Sequence, residues 1–498
     1  MKIGLVTSTS NLNLKDAHVF VKGLPPYLDF LVNKKSSSLS PPIPQLGVIA
    51  IASFLKDRDI DVDVFDFSLN NKTIKSKFKN YDIIGISSTS LHYGDLVKIS
   101  KFCRALNPNA TIIAGGQVAS FHAKELTNKK FVDGVVVGEG EMAFFNIAMK
   151  MKNHTEITKI QGLYTSKGYT KGNCLQNLDV LPLPQWDFLE LDSYIPTLPI
   201  QTMRGCPYSC AYCKETRFWE KPVRFKSEKR VVEEIKHNVE SYGIKTFRIV
   251  DSCFNAFPKR TKKICNRIQK ENLDIKWTCY ARADNLSNVL VESMAQAGCI
   301  SVDIGAESGS NKILKAMCKH SSPQKIKNAI KICKHAGMLV HTNFIIGFPG
   351  ETKKTIFDTV SLIKEAKPTT YCFNPLFVYP GTPLYEKKEK YGLVGRFDTW
   401  KHKTMNSKNV EKIIHQLYKN ELSQLSGVYY FFGGEHAANI MKALGYNKDE
   451  IIEVYKSFND LCYHKKKWAI KELVLSKLGL GNLQTFLKVA RDLKAYAM

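Results

Sequence analysis

The feature that most constrains this fold is a twice-repeated alternation of short apolar runs with helical patterns. In the first block the runs are KIGLVTS (2–8), VDVFDF (62–67), DIIGISS (82–88), TIIAGG (111–116) and VDGVVVGEGE (132–141). Helical patterns at 46–58 and 96–106 separate them. Continuously apolar strands divided by helices imply a parallel sheet covered on both faces. Ligands of such α/β sheets bind outside the carboxyl ends of the strands. Residues 1–175 are therefore predicted to form a flavodoxin/Rossmann-like domain. Residues 176–196, rich in proline and without periodicity, read as a linker. The second block runs from 197 to 390, with strands expected at 197–203, 246–251, 275–282, 300–307, 339–347 and 371–380. Six strand–helix units are fewer than the eight of a closed barrel, so a partial (β/α)6 barrel of the TIM type is expected. Residues 391–498 read as a mostly helical C-terminal domain.

Charge excludes less than it first suggests. The chain has 72 Lys+Arg against 46 Asp+Glu, a formal net charge of +26. Sixty of the basic residues are Lys and only 12 are Arg. Arg is the side chain that forks onto phosphates and bases, whereas Lys is the commoner solvated charge. The excess is also spread along the chain with no basic arm, so nucleic acid is not the expected partner. A Lys-rich surface suits an anionic small-molecule substrate. With 44% hydrophobic residues the chain can bury large cores, which excludes wholesale disorder. No apolar run approaches the ~18–20 residues of a membrane span. The opening MKIGLVTSTSNLNLKD lacks a secretory pattern, and the expected location is the cytoplasm.

Ten of the 13 cysteines stand singly, often inside apolar runs, where a free Cys behaves as a small hydrophobe. The other three form Cys206-Pro-Tyr-Ser-Cys210-Ala-Tyr-Cys213, directly after a predicted strand. Structural zinc and ferredoxin-type clusters both use four closed ligands. Three thiolates on one short loop would leave one iron of a [4Fe–4S] cluster open to a further ligand. Gly205, Pro207 and Ser209 make a buried apolar segment a poor alternative.

The C-x3-C-x-aromatic-C pattern, with Tyr212 before the last Cys, resembles the radical S-adenosylmethionine (SAM) superfamily. RIVDSCF (248–254), KWTCYARAD (276–284), AGCISVDIGAESGS (297–310), NFIIGFPGET (343–352) and FVYPGTPLY (377–385) resemble successive landmarks of its barrels. The resemblance covers about 185 residues. It implies a [4Fe–4S] cluster on Cys206, Cys210 and Cys213, SAM on the open iron, and an external electron donor such as flavodoxin or ferredoxin. It also implies that the Tyr212 backbone meets the adenine, that Asp251 and Ser252 border the methionyl end, and that Arg282 and Glu307 meet the SAM carboxylate and the amino or ribose groups. The plainer alternative is that Arg282 and Glu307 pair with each other. Gly347-Phe348-Pro349-Gly350 is expected to be a tight strand-to-helix turn, with Glu351-Thr352 opening the helix.

The first block resembles the cobalamin-binding domain that precedes many of these barrels. By that resemblance Ser87, Ser88, Thr89, Gly115, Gly116, Gln117, Gly138 and Glu139 would line cobalamin. One departure stands out. The D-x-H-x-x-G loop of domains that ligate cobalt through histidine is not reproduced, because the Gly following Asp16-Ala17-His18 is misplaced. His18 is therefore not assigned that role, and His92 and His122 read as polar surface residues. Together the resemblances imply a cobalamin-dependent radical SAM enzyme, with methylation of an unactivated carbon as the leading reaction. Cyclisation or ring rearrangement on the same architecture is the alternative. A tRNA methylthiotransferase fits less well, since residues 1–150 hold only Cys103 and no β-barrel tail is evident. A non-catalytic cobalamin or redox sensor is disfavoured by the intact cysteine triplet.

Overall fold

The computed structural model describes residues 1–7, 43–67, 80–88, 93–194, 196–219, 222–395 and 400–417. The chain divides into two compact units, Met1–Ile195 with Arg224–Lys226, and Pro196–Val223 with Ser227–Met498.

In the first unit, strands β1 (Ile3–Thr7), β2 (Val62–Asp66), β3 (Ile83–Ser87), β4 (Thr111–Gly115) and β5 (Gly134–Val136) are parallel and lie in the order β2-β1-β3-β4-β5. This is the flavodoxin-like doubly wound order, whose ligand crevice lies where the strand order reverses, at the carboxyl ends of β1 and β3. An antiparallel hairpin of β6 (Leu163–Thr165) and β7 (Gly168–Tyr169) extends the sheet beyond β5. The strands are apolar on both faces because helices cover both. Ile3, Leu5 and Ile83 pack with Val48, Leu55 and Ile147 on one side. Val6, Ile84 and Ile86 pack with Leu96, Ile99 and Leu126 on the other. Gly85 permits one close approach, since a Cβ there would lie 2.6 Å from both the Leu5 and Phe144 side chains.

The proline-rich stretch read as a linker is packed into this unit rather than left as a free tether. It forms three short 3-10 turns, at Leu178–Val180, Trp186–Phe188 and Leu191–Ser193. Leu178 and Trp186 are buried, and the buried Tyr194 hydroxyl donates to Asp66 at 2.9 Å. Proline removes amide donors and so breaks periodicity, but it does not prevent large side chains from finding a core. Truncating the fully buried indole in Trp186→Ala is expected to cost about 3–5 kcal/mol, seen as a lower urea midpoint for the full chain. An unchanged midpoint would show that the segment is only laid on the surface.

The second unit is built on six strands, Leu198–Ile200, Thr246–Ile249, Lys276–Ala281, Cys299–Glu307, Leu339–Ile346 and Thr370–Pro375. They are parallel and neighbour one another in chain order, with the first and last at the edges. Helices connect each strand to the next, as right-handed parallel crossovers require, and the result is a partial barrel. Several helix starts are explicit in the sequence. Ser227, Ser287 and Ser322 accept from amides one turn on, Pro258 and Pro323 occupy first turns, and Thr352 forms a capping box with Thr355. Helix Pro258–Lys270 shows where the lysines go. It buries Thr261, Ile264, Cys265 and Ile268 and exposes Lys259, Lys262 and Lys263. Cys265, Cys279, Cys299 and Cys333 are buried in this unit as small hydrophobes.

Past the barrel, Val394–Gly395 pairs antiparallel with Trp400–Lys401, and Ser407–Gln416 is a helix. The helices expected beyond 417, and the aromatic run Tyr429–Phe432, lie outside the described residues. No helix among the described residues is long and apolar enough to cross a membrane.

Candidate functional site

The first barrel strand runs into the cysteine loop through Gly205, whose φ of +97° turns the chain where a side chain would be strained. Backbone bonds on both sides then hold the loop. The Ala211 amide donates to the Met317 carbonyl at 2.9 Å, and the Ala211 carbonyl accepts from the Leu384 amide at 2.9 Å. Cys210 is buried, whereas Cys206 and Cys213 are partly exposed. Burial pushes the Cys213 thiol up to about 12. Burial also raises Cys206, while Arg282 and Lys319 pull it back. Both cysteines feel the charge of Cys210, so the three sulfurs share one electrostatic neighbourhood.

The donor set, three thiols on one short loop, fits an iron–sulfur cluster. Among the described residues no three His, Cys, Asp or Glu side chains converge as a mononuclear site requires. A [4Fe–4S] cluster takes each thiolate on a different iron, so its ligands need not meet at one point. Buried cations beside the thiols suit ligands that must be deprotonated.

Arg282 and Glu307 do not pair with each other. Glu307, buried at the end of the fourth strand with φ +64°, accepts from Lys319 Nζ at 3.1 Å. Lys319 Nζ also lies 3.4 Å from the Tyr212 hydroxyl. Burial works against the Lys319 charge, but Glu307 and then Cys210 outweigh it and raise its pKa. Gly305 makes room for the pair, because a Cβ there would lie 2.5 Å from Glu307 Oε1 and 3.1 Å from Lys319 Nζ. Burial raises the Tyr212 phenol well above its usual range. Arg282 is paired instead with Asp284, through Nε at 3.3 Å and Nη2 at 3.1 Å.

Lys319, Asp284 and Tyr208 were not identified from sequence. Lys319 follows a short helix, twelve residues after Glu307, and nothing in MCKH distinguishes it from the many solvated lysines. The alternation Arg282-Ala-Asp284 was the one available hint of an acidic partner.

Asp251 sits at the carboxyl end of the second strand, but its carboxylate is engaged within the protein. Oδ1 accepts from the amides of Thr202 and Met203 at 2.7 and 3.1 Å, and Oδ2 from the Thr202 hydroxyl at 2.5 Å. It thus braces the strand end that launches the cysteine loop. Ser252 donates to Glu215 at 2.8 Å. The glycines of the 347–350 turn have φ of +101° and +92°. Glu351 folds back to accept the Gly347 amide at 2.6 Å, and burial pushes its carboxyl up to about 8.

In the first unit the predicted cobalamin residues cluster at the carboxyl ends of β3, β4 and β5, with different duties. Ser88 is buried; its hydroxyl donates to the Gly115 carbonyl at 2.7 Å and accepts from the Ala119 amide at 2.9 Å. It ties β3 to the turn after β4. Gly116 (φ +85°) and Gly138 (φ +86°) make positive-φ turns that a side chain would strain. Gln117 is buried, Ser87 and Gly115 are partly exposed, and Thr89 lies outside the described residues. Glu139 forms a buried ion pair with Arg224 and accepts from the Leu175 amide at 3.0 Å, so its carboxylate is held by this unit. His122 packs against Tyr93 with ring centres 4.7 Å apart and planes tilted by 49°, and burial lowers its pKa. His18 and His92 lie outside the described residues.

Comparison with known proteins matches both units. The radical SAM superfamily profile matches residues 200–363, and the B12 binding domain profile matches residues 37–148. The chain is 31% identical over 402 residues to an uncharacterised methyltransferase of Pyrococcus horikoshii, covering 75% of this chain and 87% of the relative. It is 23% identical to the anaerobic magnesium-protoporphyrin IX monomethyl ester cyclase of Rubrivivax gelatinosus, over 69% of this chain and 66% of that one. In fold it is similar to the radical SAM methyltransferase TsrM of Kitasatospora setae, solved with cobalamin and a [4Fe–4S] cluster bound. The TM-score is 0.63 at 18% identity, covering 79% of this chain and 76% of the other.

Proposed function

The chain belongs to the cobalamin-binding radical SAM enzymes, and on that premise we propose that it methylates an unactivated carbon of a small-molecule substrate. The observation that carries methyl transfer is the 31% identity to a methyltransferase across 75% of the chain, spanning both units. Bound cofactors supply the hard chemistry: the cluster provides the electron that cleaves SAM, and cobalamin carries the methyl group.

The protein's own residues hold and orient those groups. Cys206, Cys210 and Cys213 would hold the cluster. Lys319 is the cation best placed for the SAM carboxylate, because it is buried beside Cys210 and Tyr212. Glu307, held against Lys319 at 3.1 Å, faces the amino or ribose groups. Asp251 keeps the strand end in register with the loop, and the Tyr212 backbone borders the adenine. Ser87, Gly115, Gly116, Gln117 and Gly138 line the cobalamin crevice, while Ser88 and Glu139 shape it from within. A flavodoxin- or ferredoxin-class donor supplies the electron, and the Lys-rich surface favours an anionic substrate.

The cyclase relative supports a second reading, radical cyclisation without methyl transfer. The two separate on the fate of the SAM methyl group. Anaerobically reconstituted protein, given methyl-labelled SAM and a small-molecule extract of its own cells, is expected to yield a product carrying the labelled methyl. A turnover product without label would replace methyl transfer by cyclisation.

A further inference from the structure

We propose that Arg282 acts on the cluster rather than on SAM: its guanidinium donates a hydrogen bond to the Cys210 sulfur and holds the cluster's reduction potential more positive. This rests on the reading that Cys206, Cys210 and Cys213 carry a [4Fe–4S] cluster.

The side chain is 5% exposed, and Nη1 lies 3.6 Å from Cys210 Sγ. Most of its other donors are already engaged. Nε and Nη2 fork onto Asp284 Oδ2, and Nη2 also donates to the Lys319 carbonyl. The guanidinium lies over the Tyr208 ring at 3.8 Å, and Asn285 donates to the Tyr208 hydroxyl. Asn255 clamps the Arg282 backbone twice, accepting from its amide at 2.8 Å and donating to its carbonyl at 2.9 Å. Plane, tilt and position are therefore set by the protein, and the remaining edge points at a ligand sulfur. A guanidinium committed in this way has little left for a SAM carboxylate.

Reduction adds negative charge to the cluster and its thiolates. Hydrogen bonds to the sulfurs, together with net charge and burial, set the potential of such clusters. A fixed donor beside Cys210 stabilises the reduced form more than the oxidised one. Asp284 opposes this by neutralising much of the guanidinium charge.

The two neighbours therefore make predictions of opposite sign. In a redox titration of the reconstituted protein, followed by the electron paramagnetic resonance of the reduced cluster, Arg282→Gln should shift the potential downward. The expected size is about a tenfold smaller reduced-to-oxidised ratio at a fixed poise, or ~59 mV for one electron. Asp284→Asn should shift it upward, and this variant carries the test if Arg282→Gln takes up no cluster. Loss of packing alone would not give opposite signs. Potentials equal to wild type in the cluster-bearing variants, with weakened SAM binding, would overturn the inference and return Arg282 to SAM. Iron and sulfide analysis of the wild type separates this from the premise: a wild-type chain that assembles no cluster overturns both.

Discussion

Replacing Cys206, Cys210 and Cys213 together by Ala is expected to abolish cluster assembly and 5′-deoxyadenosine formation while leaving cobalamin uptake intact. The loss should reach the uncatalysed background, at least ~10⁶-fold on the usual scale of enzymatic acceleration. Thiolates are the only soft donors this loop offers, and the loop's backbone bonds, through Ala211, do not involve the sulfurs. Two of the three sulfurs belong to partly exposed residues, so their removal opens little cavity. Cobalamin uptake should persist because the B12 binding domain match and its sheet lie in the other compact unit. The checks are the visible spectrum after anaerobic reconstitution, with and without cobalamin, and chromatography for 5′-deoxyadenosine. Deoxyadenosine formation in the triple variant would remove the cluster from this loop.

The second large effect is expected from Lys319→Ala, which leaves Glu307 buried without its cation. Breaking a buried pair from one side costs about 3–5 kcal/mol, far more than the net worth of the pair, because the orphaned charge keeps its desolvation penalty. Removing both charges with Lys319→Met and Glu307→Gln should recover most of that stability. It should not recover SAM binding, since the cation assigned to the SAM carboxylate is still absent. Urea midpoints and equilibrium SAM binding on the full chain distinguish the two effects. A double variant that is both stable and tight for SAM would remove Lys319 from the binding site. The pH dependence follows from the raised Lys319 pKa. The pair's contribution is complete below the ordinary lysine value of 10.5 and is lost only as pH rises through the raised value. Near neutrality the Lys319 titration should therefore add no pH dependence to stability, although the pair's contribution is present there.

The barrel and the doubly wound sheet were legible because apolar periodicity is a local signal. Ile83 to Ile86, Ile112 and Ile113 read as a sheet covered on two faces before any packing is known, and helices cover both. Glu351-Thr352 marked a helix start for the same reason, and the structure adds side-chain caps at Ser227 and Ser322. The proline-rich segment failed that test. Its burial depends on Trp186 and Tyr194 reaching a core formed by residues far away in the chain.

The site divides along the same line. The cysteine triplet declares its chemistry in the spacing of eight residues, and strand-end residues such as Asp251, Arg282 and Glu307 follow from the barrel pattern. Their partners do not. Asp251 binds the backbone of the preceding strand, Arg282 takes Asp284 and a sulfur, and Glu307 takes Lys319. Sequence by itself determined the fold class, because periodicity is a property of neighbouring residues, and the spacing of the cysteine triplet singled out the three candidate cluster ligands; the cofactor set came from the family that those motifs resemble. Only the tertiary structure decided which charge meets which. Ion pairing inside a barrel depends on distances between strands and loops brought together by folding, and one lysine among sixty acquires a partner only when the chain closes around it.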